Sequence, residues 1–334
     1  MKTYTLALPS KGELAEPTYN FLREAGLKVI RPNARQYTGH IPALPQLGVL
    51  YQRVKDVVYK VADGTAQLGI AGLDIVHEYV TDEVVMLHGG LNYGHCKLVV
   101  AVPESWVDVQ SILDLQEVAD DMRQRHNRNL RIATTFPTLT RRFFHNVGIH
   151  HFSLVRAEGA IEAAPTIGYA DAIVDLTQSG TTLRENHLKM VQGGTILESQ
   201  ACLIGNRAAL QSDAELRALT RQLLDYVDAT LNGQQHCQII ADISGDSPQE
   251  VAALVNANDA TRGLLGPTVA PIYAAPGSQN WYTIQITVKN HDRLAAVEYL
   301  RSIGAAHVLV APVQYLFLNQ STSFETLLRE LGLD

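Results

Sequence analysis

Short apolar runs alternate with amphipathic stretches over the first two hundred residues of the chain. The apolar runs predict strands at residues 4–8, 67–71, 96–102, 131–133, 172–176 and 195–206. Apolar residues recur at helical spacing at residues 17–25, 53–63 and 213–231, and these stretches predict helices. Strands that alternate with helices favour an α/β fold with largely parallel sheets.

The last hundred residues follow a different order. Strands are predicted at residues 237–243, 267–274, 281–288 and 307–311, with Pro276 and Gly277 at the turn between the middle two. Ser247 and Pro248 are typical of a helix start, and a second helix is expected at residues 292–303. The resulting βαββαβ order predicts a small ferredoxin-like domain with a regulatory or assembly role. Residues 233–235, with the sequence GQQ, are expected to be the linker that precedes it.

Composition narrows the class of protein. With 334 residues, 46% of them hydrophobic, the chain is expected to fold into two or three domains. A formal net charge of −7 argues against nucleic acid as a partner. Residues 263–288 carry no charge, but their prolines, glycines and amides favour a pair of strands over a membrane span. The three cysteines have no metal-ligand spacing, and the N-terminal apolar run is too short for a signal peptide, so we expect reduced thiols and a cytoplasmic location.

The segment at residues 171–188, DAIVDLTQSGTTLRENHL, contains the most informative chemistry. A buried strand ends near Asp175, and Gln178, Ser179, Gly180, Thr181 and Thr182 follow it. Hydroxyl groups, a glycine that allows close backbone approach and a helix expected from Leu183 suit a sugar phosphate. The carboxylate just upstream suits the two vicinal hydroxyls of a ribose. An ordinary Ser/Gly/Thr turn remains the alternative.

Two further polar segments follow predicted strands. Lys11 and Gly12 lie between the first strand and a helix that we expect to begin at Pro17, so Lys11 is available to a phosphate or is a solvated lysine. Asp74 lies at another strand end. A third cluster of hydroxyl groups, at residues 134–140, precedes Arg141 and Arg142.

Taken together, these segments resemble the ATP phosphoribosyltransferase family of histidine biosynthesis, in its long form with a C-terminal regulatory domain. The resemblance is most specific at residues 171–188, in RIATTFPTLTRRF from Arg131, in GLDIVHE from Gly72 and in YGHCKLVVAVP from Tyr93. GPTVAPI from Gly266 and IGAAHVLVAPV from Ile303 resemble the regulatory domain. The resemblance covers nearly every segment of the chain.

The resemblance implies a bilobed, type II periplasmic-binding-protein-like catalytic core followed by the ferredoxin-like, ACT-like domain. Catalytic lobe I, on the ATP side, is expected at residues 1–101 and 192–232. Catalytic lobe II, on the side of phosphoribosyl pyrophosphate, is expected at 102–191, and the regulatory domain at 236–334.

The reaction implied is attack of N1 of the adenine of ATP on ribose C1 of phosphoribosyl pyrophosphate, with loss of pyrophosphate. Phosphoribosyl pyrophosphate is expected to bind to Asp171, Asp175, Gln178, Ser179, Gly180, Thr181 and Thr182. ATP is expected to contact Lys11, Gly12, Arg53, Asp74 and Glu162. Lys11, Arg53 and Asp175 are expected to be catalytic, and no residue is assigned as a general base.

The resemblance also implies partners. Mg²⁺ is expected to bind mostly through substrate phosphates, so no metal site made only of protein side chains is expected. Histidine is expected to be a feedback inhibitor, and the assembly is expected to be a homohexamer built from dimers. Neither nucleic acid nor a membrane is expected as a partner.

Two positions depart from the family pattern and keep two other functions open. Glu13 follows the Lys-Gly pair where the family usually has arginine, and Ala160 occupies the position of a usual serine ahead of Glu162. A catalytically silent regulatory paralogue would tolerate both changes. A small-molecule binding protein of the same bilobed shape is the other alternative, although it would not need the phosphate loop.

Overall fold

A computed structural model of the chain describes residues 2–33, 35–79, 81–157, 159–273 and 279–333. The chain divides into two compact units. The first consists of residues 1–23, 28–219 and 326–334, and the second of residues 24–27 and 220–325.

Two mixed sheets and their helices make up most of the first unit. Its strands are β1 (Tyr4–Pro9), β2 (Thr38–His40), β3 (Leu47–Gln52), β4 (Leu68–Gly72), β5 (Val84–His88), β6 (Cys96–Pro103), β7 (Leu130–Thr134), β8 (Phe152–Arg156), β9 (Ala172–Thr177), β10 (Leu188–Ser199) and β11 (Ala201–Asn206). The helices near these strands are α1 (Ala15–Glu24), α2 (Val54–Ala62), α3 (Leu73–Glu78), α4 (Ile112–His126), α5 (Pro137–Asn146), α6 (Ala164–Ile167), α7 (Thr181–Glu185) and α8 (Arg207–Ser212).

The two sheets repeat one arrangement. The first sheet has the order β2-β3-β1-β4-β11-β5, in which β1 is parallel to β3 and β4, and β11 is antiparallel to β4 and β5. The second sheet has the order β10-β6-β9-β7-β8, in which β7 is parallel to β8 and β9, and β6 is antiparallel to β9 and β10. We call residues 2–88 and 201–212 the first lobe and residues 96–199 the second lobe. The predicted α/β, bilobed core of the type II periplasmic-binding-protein class is confirmed.

Burial explains why the central strands were visible in the sequence. All five residues of β4 are buried, and Leu98, Val99, Val100, Ala101 and Val102 of β6 are buried as well. Strands covered on both faces are expected to be continuous apolar runs. The apolar pattern does not show where one such strand ends and the next begins. The single strand predicted at residues 195–206 is instead two strands, β10 and β11, which meet at Gln200 and belong to different sheets.

Helix α1 begins earlier than predicted. It starts at Ala15 rather than Pro17, because Gly12 has a positive φ of 85° and its carbonyl accepts the N–H of Ala15 at 3.1 Å. Pro17 then lies within the first turn, where its missing N–H costs nothing because the first N–H groups of a helix have no partner inside the helix.

The second unit contains the ferredoxin-like domain. Its elements are helix α9 (Ala214–Gln235), which begins in the first unit, strand β12 (His236–Ser244), helix α10 (Pro248–Asn256), strands β13 (Thr268–Ile272) and β14 (Trp281–Lys289), helix α11 (Arg293–Ser302) and strand β15 (His307–Pro312). The sheet is antiparallel with the order β13-β14-β12-β15, so the predicted ferredoxin-like domain is confirmed. The predicted turn at Pro276 and Gly277 lies outside the described residues.

Two parts of the chain differ from the sequence prediction here. Residues 233–235 are not a linker, because α9 continues through them to Gln235 and the next residue begins β12. A final helix, α12 (Thr322–Leu331), was not predicted, and residues 326–334 belong to the first unit.

Candidate active site

A cavity of about 470 Å³ lies between the two lobes of the first unit. Its wall comes from both lobes and combines carboxylates, hydroxyls and aliphatic side chains. The lining residues are Glu13, Leu14, Val54, Asp74, Ile75, Gly94, Cys96, Glu162, Leu176, Thr177, Gln178, Ser179, Thr181, Thr182 and Leu183. The cavity wall therefore brings together residues of the loop at 178–182 and three acids, Glu13, Asp74 and Glu162, that lie far apart in the sequence.

We call residues 178–182 the phosphate loop; it connects β9 to the first turn of α7. Gly180 has a positive φ of 74° and donates its N–H to Oγ1 of Thr177 at 2.9 Å, which closes the turn. The hydroxyls of Ser179 and Thr181 are hydrogen-bonded to each other at 2.9 Å, and Arg184 donates to Thr181 at 3.2 Å. Exposed hydroxyls beside a guanidinium group are well suited to a phosphate dianion.

Helix α7 begins at Thr181, two residues before the predicted start at Leu183. The Thr181 and Thr182 side chains consequently lie on the first turn of the helix, and both line the cavity. The first N–H groups of a helix lack partners within it, so this turn provides donors as well as hydroxyls.

Asp175 is a largely buried acid on β9, three residues before the loop. Its Oδ1 atom accepts the N–H of Leu176 at 2.8 Å. Burial, together with the negative charge of Glu162, raises the pKa of Asp175 to about 6 from the ordinary 3.8, although the hydrogen bond from Leu176 opposes this. Among the described residues Asp175 is not part of the cavity wall, although Leu176 and Thr177 of the same strand are.

Asp74 forms the opposite wall. It is only 5% exposed, and its Oδ1 atom accepts the hydroxyl proton of Ser199 at 2.6 Å, while the Ser199 oxygen accepts the N–H of Asp74 at 2.9 Å. Gly72 makes room for this arrangement, because a Cβ atom there would lie 2.4 Å from Oδ1 of Asp74. Burial and the charge of Asp74 raise the pKa of the neighbouring Cys96, so that side chain is a neutral thiol.

The predicted cations lie at the edge of this site. Among the described residues, neither Lys11, Gly12 nor Arg53 belongs to the cavity wall, although Glu13 and Val54 beside them do. Arg53 is an exposed residue directly before α2. Glu13, the residue that departs from the family pattern, adds a third carboxylate to a wall that already has Asp74 and Glu162.

Asp171 lies away from the loop and is not part of the described cavity wall, an arrangement that does not favour its predicted role in binding phosphoribosyl pyrophosphate. It precedes β9 at the opposite end of the strand, where its carboxylate accepts hydrogen bonds from Arg128 at 2.7 Å and from Arg131 at 2.9 Å. Burial alone would raise its pKa, but the two guanidinium groups lower it to about 2. Asp171 therefore stabilises the start of the strand.

Two cations near the cleft were not found from the sequence. The Nζ atom of Lys55 lies 4.5 Å from the ring centroid of Tyr79, and a hydrogen bond with Tyr79 raises the pKa of Lys55. Arg156, from the second lobe, is close enough for its charge to oppose that shift. The only sequence signal for Lys55 was its place in the first turn of a predicted helix, next to Val54.

The comparisons with known proteins agree over almost the whole chain. A family model described as ATP phosphoribosyltransferase matches residues 53–226, and a second, described as HisG, C-terminal domain, matches residues 234–315. ATP phosphoribosyltransferase 2, chloroplastic, of Arabidopsis thaliana is 38% identical over 98% of this chain and 80% of its own length. ATP phosphoribosyltransferase of Nitrobacter winogradskyi is 35% identical over 96% of each chain.

One solved structure shares the fold. It is described as the ATP phosphoribosyl transferase (HisG:HisZ) complex from Thermotoga maritima, and its TM-score is 0.52 at 23% identity over 68% of this chain and 97% of that one. The sequence matches extend across both units and confirm the resemblance drawn from the motifs. The chain therefore belongs to the ATP phosphoribosyltransferase family, in the long form that carries the C-terminal domain.

Proposed function

We propose that the cavity between the two lobes is where this chain carries out the reaction of its family, the first step of histidine biosynthesis. ATP and phosphoribosyl pyrophosphate give N1-(5-phosphoribosyl)-ATP and pyrophosphate. The observation that carries the assignment is the meeting, in one cavity, of the phosphate loop with the Asp74 wall of the other lobe.

Phosphoribosyl pyrophosphate occupies the second-lobe side of the cavity in this proposal. The side chains of Gln178, Ser179, Thr181 and Thr182 bind its 5-phosphate, and Gly180, whose N–H is donated to Thr177, shapes the turn that presents them. Asp175 accepts hydrogen bonds from the two ribose hydroxyls. Those bonds favour its charged form, so substrate binding lowers the raised pKa of Asp175.

ATP occupies the side of Asp74. Asp74 and Glu162 are acceptors for the amino group and hydroxyls of the nucleoside, and Lys11, Gly12 and Arg53 at the edge of the cavity contact its phosphates. Aliphatic residues of the wall, including Leu14, Val54 and Ile75, exclude water from the reacting atoms.

The chain's main contribution to the reaction is alignment. N1 of adenine displaces pyrophosphate at ribose C1 with inversion, so the two substrates must approach in line from opposite lobes. The cations Lys11, Arg53, Lys55 and Arg156 stabilise the negative charge that develops on the leaving group.

Magnesium fits this site when most of its ligands are substrate oxygens. Three carboxylates line the cavity, which suits a hard cation, but the described residues contain no group of three or more His, Cys, Asp or Glu side chains that could hold an ion alone. When bound, the ion neutralises pyrophosphate charge. The three carboxylates would otherwise repel both substrates.

The first experiment mixes purified protein with phosphoribosyl pyrophosphate, magnesium, ATP and a pyrophosphatase, and follows the ultraviolet absorbance of N1-ribosylated adenine. Turnover by the chain alone supports the proposal. Binding of phosphoribosyl pyrophosphate without turnover would favour the catalytically silent paralogue, to which the Glu13 carboxylate in the wall points. Binding of neither substrate would refute the proposal.

Regulation by histidine is proposed for the second unit. A smaller cavity of about 180 Å³ there is lined in part by His236, Lys289, His291 and Asp292, a set that suits the charged groups of a free amino acid. Asp292→Asn and Lys289→Gln are expected to weaken histidine inhibition of the full chain without lowering its uninhibited turnover. Cutting the chain after Gly233 is not a clean test, because it also removes residues 326–334 from the first unit.

We also propose, from the family resemblance, that the chain assembles as a homohexamer built from dimers and is cytoplasmic. Sedimentation of the purified chain with and without histidine tests the homohexamer of dimers. Among the described residues, every helix is too short or too polar to cross a bilayer. Some relatives are named chloroplastic, so the cytoplasmic location needs its own measurement by fractionation of the source cells.

A further inference from the structure

Glu78 connects the two lobes through a buried carboxylate. It is the last residue of α3 in the first lobe and is only 4% exposed. Its Oε1 atom accepts the N–H of Thr138 at 2.9 Å, and its Oε2 atom accepts the N–H of Leu139 at 3.0 Å. Thr138 and Leu139 lie in the first turn of α5 in the second lobe. We call Glu78 and these two N–H groups the interlobe clasp.

Helix α5 depends on this contact at its N-terminus. Pro137 is its first residue, and Phe136 before it provides no side-chain cap. The N–H of Phe136 is bonded to Oγ1 of Thr134 at 2.9 Å, so the local hydroxyl is already used outside the helix. The free N–H groups and positive dipole end of α5 are thus neutralised by an acid from the other lobe.

The same helix that carries Glu78 also carries Asp74 of the cavity wall. The two acids are four residues apart, so they lie on one face of α3. Asp74 is bonded to Ser199 of β10 in the second lobe, and Glu78 is bonded to α5. Helix α3 is therefore tied to the second lobe at both of its ends.

We propose that Glu78 is a positioning residue, which sets the distance and angle between the Asp74 wall and the phosphate loop. The proposal rests on the proposed function of the cavity. Each substrate is held mainly by one lobe, so a change at the clasp alters their alignment while leaving each binding surface intact. A displacement of about 1 Å between reacting groups can lower turnover by about 100-fold.

A purely structural role for Glu78 makes a different prediction. In that case its loss would lower stability and would affect turnover no more than the loss of any other acid at a helix start. Asp114 is the matched comparison. Its carboxylate accepts the N–H groups of Gln110 at 2.8 Å and Ser111 at 2.7 Å at the start of α4, entirely within the second lobe.

The test compares Glu78→Gln with Asp114→Asn in the full chain. For Glu78→Gln we expect kcat to fall by about 10- to 100-fold. The dissociation constant of phosphoribosyl pyrophosphate alone, measured by calorimetry, should change by less than about twofold, because none of Glu78, Thr138 and Leu139 belongs to the cavity wall that contains the phosphate loop. Asp114→Asn should lose stability and keep its kcat.

Three results would overturn the proposal. They are an unchanged kcat for Glu78→Gln, an equal loss of kcat in Asp114→Asn, and a weakening of substrate binding that matches the loss of kcat. Should Glu78→Gln fail to fold, Glu78→Asp replaces it. That side chain keeps its charge but is one methylene shorter, so an intermediate kcat is expected and a wild-type kcat would refute the positioning role.

Absence of turnover in the wild-type chain would refute the proposed function rather than the clasp. In that case, the interlobe clasp is tested by comparing amide hydrogen exchange in Glu78→Gln with that in the wild-type chain. Faster exchange in Glu78→Gln at both residues 73–79 and 136–140, with no change at the start of α4, supports the clasp. Unchanged exchange at either segment would overturn it.

Discussion

Asp175 shows how a ligand-binding acid can destabilise the protein that contains it. Its pKa is raised to about 6, chiefly by burial, so the folded protein binds this proton more tightly than the unfolded chain does. The contribution of Asp175 to stability is therefore full below about pH 4 and is lost as the pH rises through about 6. At neutral pH the protein therefore retains a largely buried charge, which the N–H of Leu176 stabilises only in part.

Asp175→Asn is expected to raise the free energy of unfolding at pH 8 by up to about 3 kcal/mol and to raise the Michaelis constant for phosphoribosyl pyrophosphate. Urea unfolding at pH 5 and pH 8 measures the first effect. Asp114→Asn is the control. Hydrogen bonds from the N–H groups of Gln110 and Ser111 lower the pKa of Asp114, so this substitution should lower the free energy of unfolding at pH 8 rather than raise it. Identical pH dependence in wild type and Asp175→Asn would contradict the assignment of this shift.

Thr182→Ala is expected to raise the Michaelis constant for phosphoribosyl pyrophosphate by about tenfold and to leave that for ATP unchanged. The reason is the loss of one hydroxyl donor to a phosphate, worth about 1.5 kcal/mol. Steady-state kinetics with each substrate varied in turn makes the measurement. Thr326→Ala in α12 serves as the control, and equal Michaelis constants in wild type and Thr182→Ala would remove this hydroxyl from the site.

Lys55→Gln tests the cations that sequence reasoning missed. We expect the Michaelis constant of at least one substrate to rise about fivefold, on the order of 1 kcal/mol, because Lys55 is next to Val54 of the cavity wall and adds positive charge beside the proposed site for two polyphosphates. The effect should shrink at high salt. Lys60→Gln is the matched control, since Lys60 lies on the same helix and pairs with Asp63 at 3.1 Å. Equal Michaelis constants for Lys55→Gln and Lys60→Gln would exclude a role for Lys55 in substrate binding.

Individual residues were predictable where one local segment contained the chemistry. The loop at residues 178–182 follows its strand directly, so strand pattern and residue type were enough to identify it. Asp171 belongs to the same segment, but its partners Arg128 and Arg131 are about forty residues away and the sequence does not show them. Glu78 was equally hidden, because its partners are backbone N–H groups of another lobe.

Helix α9 shows why a glycine within a helix can be mistaken for the start of a linker. Gly233 and the polar residues after it resemble a linker, yet the helix continues through them. The glycine is required by packing, since a Cβ atom at position 233 would lie 2.5 Å from the carbonyl oxygen of Gln314. Tertiary contact here overrides the low helix propensity of glycine, which costs about 1 kcal/mol relative to alanine.

Gly233→Ala is therefore expected to destabilise the protein by about 1 to 3 kcal/mol, although alanine is the better helix former. Thermal or urea unfolding measures the change. Gln235→Ala, an exposed position in the same last turn, should have little effect. A stabilised Gly233→Ala variant would show that the backbone of residue 314 moves away at little cost.

At the scale of the whole molecule, the C-terminal helix α12 ends in the first unit, to which residues 326–334 belong. Leu327 and Leu331 are buried, and Arg207 and Gln211 donate to the carbonyl oxygens of Glu330 and Leu331 at 3.0 and 3.3 Å. The sequence after Tyr315 gave little sign of this, because a ten-residue amphipathic helix has no visible partner in the sequence.

Deletion of residues 322–334 is expected to lower the free energy of unfolding by about 3 to 6 kcal/mol, the value of two buried leucines. Differential scanning calorimetry, compared with a deletion of residues 332–334 alone, separates loss of the helix from loss of the terminus. Equal melting temperatures for the two deletions would show that α12 contributes nothing to the first unit.

The strand order of the two lobes has a consequence for synthesis on the ribosome. The second lobe is contiguous, so its sheet has all of its strands once residue 199 has emerged. The first sheet has to wait for β11, which lies between β4 and β5 and is made last. Until then β4 has an unpaired edge and β5 has no neighbour, which is the kind of exposed strand that chaperones protect during translation. The half of the core that is synthesised first is thus the half that finishes folding last.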